Sequence, residues 1–99
     1  MTTNKDDRRP GARLASIRVS YEGEQYERNL TKCRVALRHR QIEGRYDNMG
    51  QFARAVGLSL TTVSTWLAGA VPGRKETTDH ILAGLKLGFD DVHRKVGQD

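Results

Sequence analysis

QFARAVGLSLTTVSTWLAG, residues 51–69, decides the fold. Just before and within it, Met49, Phe52, Ala53 and Val56 stand at i, i+3, i+4 and i+7, one face of a helix about two turns long. Asn48 precedes them as an N-cap. Gly57 stops that helix, because glycine takes the left-handed conformation without steric cost. Ser59 caps the next helix, whose buried face is Val63, Trp66 and Leu67, and Gly69 ends it. So short a connection cannot make an antiparallel hairpin, and the two helices are expected to cross steeply. Such a crossing needs a small residue on the first helix, Ala53, and bulky ones on the second, Val63 and Trp66, to fill the wedge.

Upstream, Tyr26, Leu30, Cys33 and Leu37 recur at helical steps between Gly23 and Gly44, which predicts a first helix. Its start is acidic (Glu22, Glu24, Glu27) and its end basic (Arg38, Arg40), as the helix dipole favours. Before it, Ile17, Val19 and Tyr21 alternate with Arg18 and Ser20, which fits a short strand or extended arm, although Leu14, Ile17 and Tyr21 also suit one helix face. Residues 1–13, MTTNKDDRRPGAR, show no apolar period and read as a solvated tail. Downstream, residues 70–75 with Pro72 and Gly73 form a loop, and Thr78, Ile81, Leu82 and Leu85 mark a fourth helix that Gly88 stops. Asp90 caps a short last helix carrying Val92 and Val96. The expected fold is all-α, a compact domain of five helices. A flexible basic arm over 1–22, partly disordered, precedes a domain over 23–99.

A chain of 99 residues has room for one compact domain and a tail. Its apolar stretches are far below the roughly 20 residues of a membrane span, and the N-terminus has no apolar signal core. The expectation is a soluble cytoplasmic protein. One cysteine, Cys33, makes no intrachain disulfide and sits on the apolar helix face, so it reads as core. His39, His80 and His93 share no spacing, which points to surface or cap roles and to no metal centre. No cofactor, catalytic pair, phosphate loop or activated nucleophile is visible, so no enzyme is expected. Net charge is +5, and residues 1–45 hold eleven basic against six acidic side chains, whereas residues 46–99 hold six of each. The excess positive charge therefore sits in the N-terminal half, a candidate surface for a polyanion.

The Ala, Gly, Val and Trp spacing of residues 51–69 resembles the helix-turn-helix of the Xre/Cro family, that of lambda repressor and Cro. ETTDHILAGLKLGFDDV, which follows, is similar to that family's fourth helix and its entry into a fifth. The resemblance covers roughly residues 48–92, with the motif itself at about 48–69. It implies a lambda-repressor-like domain whose third helix, about Leu60–Ala68, enters the DNA major groove. Base contacts then fall to Leu60, Thr61 and Thr65. Phosphate contacts fall to Asn48, Thr62, Ser64, Arg74 and Lys75, with Arg45 and Arg54 as further members. Arg40, Arg45 and Arg54 are the weaker candidates for this role. Arg8, Arg9 and Arg13 are candidates for an arm in a minor groove. The third helix lacks Arg, Asn and Gln, so it makes no bidentate base contact and direct readout is modest. The chain departs from the family in having Met49 where Gln is common, and in a longer loop between the first two helices.

The resulting expectation is a sequence-preferring regulator of transcription that binds double-stranded DNA. It would act as a repressor in a bacterium, phage or mobile element, as a homodimer associated with the nucleoid, with no membrane or small-molecule partner. The strand near Ile17 and the residues Val92 and Val96 are the places to look for a dimer surface. The alternative is a protein-interaction adaptor, antitoxin-like, using the same fold.

Overall fold

The computed structural model describes residues 14–97. Two strands, β1 (Ser16–Tyr21) and β2 (Glu24–Asn29), lead into helices α1 (Leu30–Ile42), α2 (Met49–Ala55), α3 (Leu60–Ala68), α4 (Lys75–Leu85) and α5 (Phe89–Val92), and the chain ends in strand β3 (His93–Lys95). The strands form one antiparallel sheet in the order β1-β2-β3. The fold is therefore α+β, and the all-α expectation is wrong. Residues 24–29, assigned above to the first helix, pair with β1 from Ser16 opposite Asn29 to Tyr21 opposite Glu24. The turn between them has Glu22 at φ 52° and Gly23 at φ 81°. Two positive φ values are what a two-residue turn needs to match the twist of its strands. This hairpin also crosses the boundary drawn at residue 22, since β1 belongs to the folded sheet.

Physical causes for the other departures are local. The first helix starts at Leu30 because the Asn29 side chain accepts from the Lys32 N–H at 2.9 Å, and its first turn has no acidic residue. The fourth helix ends before Gly88, at Lys86, which takes the left-handed conformation itself (φ 63°). The last helix is one turn, N-capped at Gly88 rather than Asp90, with the Asp91 carboxylate accepting from the Gly88 N–H at 2.6 Å. Beyond Val92 the chain extends and pairs with β2, His93 opposite Arg28, so Val92 and Val96 share no helix.

The helical half follows the sequence closely. Leu30, Cys33, Leu37, Phe52, Ala53, Val63, Trp66, Leu67, Ile81, Leu82, Leu85 and Val92 make one buried core. Burial raises the Cys33 thiol to about 11, which leaves it an inert core side chain. The sheet lies against this core with Ile17, Val19 and Tyr21 inward and Arg18 and Ser20 exposed. No helix among the described residues is long and apolar enough to cross a membrane.

Candidate nucleic-acid interface

Residues 48–69 form two capped helices joined by a tight turn. Asn48 Oδ1 accepts from the Gln51 N–H at 2.9 Å, and Ser59 Oγ accepts from the Thr62 N–H at 3.0 Å. Gly57, at φ 78°, supplies the reversal between them. On α3, Val63, Trp66 and Leu67 are buried, which turns Leu60, Thr61 and Ser64 outward. Leu60 is 52% exposed.

The site residues expected from sequence differ in how free they are. Thr61 and Ser64 are exposed. Thr65 is half-buried, and its hydroxyl shares its one proton between the Thr61 and Thr62 carbonyls at 2.9 and 3.2 Å, leaving its methyl and its acceptor lone pairs for a ligand. The Thr62 hydroxyl accepts from Ser59 Oγ at 2.8 Å and belongs to the cap. Asn48 is likewise occupied as a cap. Arg54 and Arg74 are exposed, the first on α2 and the second as the N-cap residue of α4, where its side chain makes no capping bond. Arg45 pairs with Glu43 at 3.3 Å, and Arg40 with the same carboxylate at 2.6 Å. Those two guanidiniums hold the Glu43 pKa below the usual carboxylate value, against its desolvation. Lys75 pairs with Asp79 at 3.2 Å and lies 5.1 Å from the Phe89 ring centre, so its charge is committed to α4 and α5. Arg8, Arg9 and Arg13 lie outside the described residues.

What sets the position of α3 was not visible in its own sequence. Arg34 on α1 donates to the Leu67 carbonyl at 2.6 Å and to the Leu14 carbonyl at 2.7 Å, tying the C-terminal end of α3 to the segment before β1. Trp66 is held by a buried polar network. Its indole N–H donates to Thr78 Oγ1 at 3.1 Å, and the Arg28 guanidinium stacks 4.3 Å from its ring centre. Arg28, 0% exposed, also donates to the Pro72 carbonyl (2.8 Å), Thr78 Oγ1 (3.1 Å), the Tyr21 hydroxyl and His93 Nε2 (2.9 Å). Gly73 belongs to the same arrangement: a Cβ there would stand 2.6 Å from Trp66 Cδ1. The only advance signals were the Gly23 turn two residues after an alternating stretch and the Pro72-Gly73 pair in the loop. His93, expected at the surface or in a cap, is instead 6% exposed inside this network.

None of the ion pairs among the described residues involves Arg28. Burial lowers its pKa from the ordinary arginine value, but a guanidinium stays charged in proteins. Its charge is held by neutral acceptors and an aromatic face, and five donors in a rigid fork suit that role where an ammonium would not. The network thus links β1, β2, β3, α3, α4 and the 72–73 loop through one side chain.

Among the described residues no group of three or more His, Cys, Asp or Glu is placed to hold a metal ion. Comparison of the chain with protein-family models, with curated proteins and with solved structures finds no match.

Proposed function

We propose that this protein is a sequence-preferring double-stranded-DNA-binding regulator, a repressor with a helix-turn-helix of Xre/Cro type set in an α+β domain. In this reading it works in the cytoplasm of a bacterium or in the host of a phage or mobile element, as a two-fold dimer without cofactor or catalytic step. The observation that carries the reading is the outward face of α3: Leu60, Thr61 and Ser64 stand exposed on a helix fixed from behind by Trp66 and at its end by Arg34. A helix held this way meets the requirement of groove readout, that side chains reach base edges without the backbone yielding. Short hydroxyls and the Leu60 side chain suit mixed polar and thymine-methyl contacts. Of the exposed cations expected at phosphates, Arg54 and Arg74 take that role, since Arg45 and Lys75 pair with Glu43 and Asp79.

Thr61→Ala should weaken binding to the preferred site by about 1 to 3 kcal/mol while leaving binding to random duplex nearly unchanged, because base contacts specify and phosphate contacts position. Competition between the two DNAs in a fluorescence anisotropy titration measures this. Equal losses on both would remove Thr61 from the base-reading set. Arg74→Ala should weaken binding on every sequence alike and lower the slope of log affinity against log salt by about one unit, since about one fewer counterion is released. An unchanged slope makes Arg74 a solvated residue.

A second reading, a protein adaptor of antitoxin type, is favoured by the exposed apolar side chains Leu60 and Val71 (41%). The same salt titration separates the two. A DNA reader binds random duplex at low salt and loses it steeply, and an adaptor shows no such binding.

A further inference from the structure

Among the described residues, no strand pairs with the outer edge of β1. In a hairpin with a two-residue loop, the pair flanking the loop, here Tyr21 and Glu24, exchanges hydrogen bonds. Alternation then turns the backbone groups of Ile17, Val19 and Tyr21 toward β2, and those of Ser16, Arg18 and Ser20 away from it. The far side of β2 agrees. The Val96 N–H donates to the Gln25 carbonyl at 2.8 Å, so Gln25 faces β3, and Ser20, opposite Gln25, must present its backbone groups to the open edge. Outside the ladders, no backbone hydrogen bond among the described residues involves Arg18 or Ser20.

We propose that β1 pairs antiparallel with β1 of a second copy of this chain, about a two-fold axis at Val19, to give a continuous six-stranded sheet. This names the contact surface for the dimer of the reading above and rests on the dimeric part of it. Edge strands are normally blunted by shortness, charged side chains, proline, a bulge, an inward charge or a covering segment, and of these the described part of β1 has one exposed charge, Arg18. β1 has six residues in unbroken register and no proline, with Ile17, Val19 and Tyr21 on its inner face. The opposite edge, β3, is three residues long and carries the exposed Arg94 and Lys95. Nor is Val92 available as a dimer surface, being 3% exposed.

Of the registers open to β1, the one centred on Val19 pairs the most residues without setting like charges opposite each other. A two-fold axis through the sheet keeps outer face beside outer face, so a residue can only oppose one of the same face. Centring on Arg18 sets two guanidiniums directly opposite each other. Centring on Val19 sets Arg18 opposite Ser20 of the second copy, twice, and Ile17 opposite Tyr21. Arg18 and Ser20 are then also the residues whose outward backbone groups exchange hydrogen bonds. Arg18 already stands beside Glu27 across the hairpin, which offsets its charge within the copy.

Sedimentation equilibrium of the full chain without DNA, from micromolar to near-millimolar concentration, tests this. A reversible dimer is expected. Ser20→Pro deletes an outward donor but no bond between β1 and β2, so it should weaken the dimer more than about tenfold while leaving the dilute thermal melt in place. Ser20→Arg opposes Arg18 and should weaken the dimer about tenfold, and Ser20→Glu should strengthen it about as much, as expected for two cross-strand charge pairs. A chain that stays monomeric at the highest concentration overturns the proposal. So does a dimer that Ser20→Arg and Ser20→Glu shift in the same direction, or not at all. Because mass is read without DNA, a failure of the DNA-binding reading leaves this result untouched, and a monomer that still binds duplex fails only the pairing.

Discussion

Arg28→Ala should lower the melting temperature by roughly 20 °C, from a loss of about 4 kcal/mol at about 4 to 8 °C per kcal/mol for a domain of this size. The size follows from what the substitution leaves behind. His93 Nε2 loses its donor inside the core, at about 1 to 3 kcal/mol, the part-buried Pro72 carbonyl is left with the Tyr21 hydroxyl alone at 3.2 Å, and Trp66 loses the cation stacked on its face. The Tyr21 and Thr78 hydroxyls keep each other at 2.9 Å, which limits the damage. Removing a buried charge recovers some desolvation energy, so the net is below the sum of the losses. Arg28→Lys should recover less than half of the lost stability, because one ammonium cannot reach both the Pro72 carbonyl and His93 Nε2. A differential scan in which Arg28→Ala melts within about 3 °C of the parent would show that the network does not hold the sheet to α3.

The helical half was legible because its periods are written in apolar residues. Val63, Trp66 and Leu67 on α3, and Thr78, Ile81, Leu82 and Leu85 on α4, are buried as their spacing requires. The caps Asn48, Ser59 and Gly69 also stand where the sequence puts them. The sheet was not legible, for a chemical reason. On β2 the two inward positions are Tyr26 and Arg28, and on β3 the inward position is His93, so the alternation that marks a strand is carried largely by polar side chains. Meanwhile Tyr26, Leu30, Cys33 and Leu37 happen to keep a helical step across the boundary between β2 and α1. Tyr26 meets the Phe89 ring edge-on at 5.1 Å, while Leu30 packs in the core four residues later.

The candidate interface divides in the same way. Which helix turns outward, and that Thr61 and Ser64 are free on it, follows from spacing alone. That Lys75 is committed to Asp79 and Phe89, and that Thr62 and Asn48 serve as caps, depends on neighbours brought in by the fold. The side chains that fix α3, Arg34 and Arg28, come from α1 and from the sheet, 20 residues or more away along the chain. No local pattern marks an arginine as buried, since its ordinary place is at the surface.

Stability should fall by about 3 kcal/mol between pH 6.5 and pH 4, with His93 as the cause. His93 Nδ1 stands 3.0 Å from the Phe89 carbonyl, which can only accept, so Nδ1 carries the proton and Nε2 offers a lone pair to the Arg28 Nε–H. A second proton would set two donors against each other. Burial, with the Arg28 and Lys75 charges acting the same way and the Phe89 carbonyl and Asp90 opposing, lowers the His93 pKa from 6.5 to about 4. Between those values the unfolded chain binds more protons than the folded one, so the free energy of unfolding drops as pH falls and is fully recovered above 6.5. Glu27 and Glu43, whose pKa values lie below 4.5, add to the loss only further down, which leaves the upper part of the window to His93. His93→Gln keeps an acceptor for Arg28 without a titrating proton. Urea midpoints for this variant should stay flat from pH 6.5 to 4.5 while those of the parent fall, and parallel curves would remove His93 as the cause. Since the bond broken by protonation belongs to the guanidinium stacked on Trp66, the acid form should lose the fixed attitude of α3 before it loses its helices. If the protein binds DNA as proposed above, duplex binding should weaken at a higher pH than the far-ultraviolet signal.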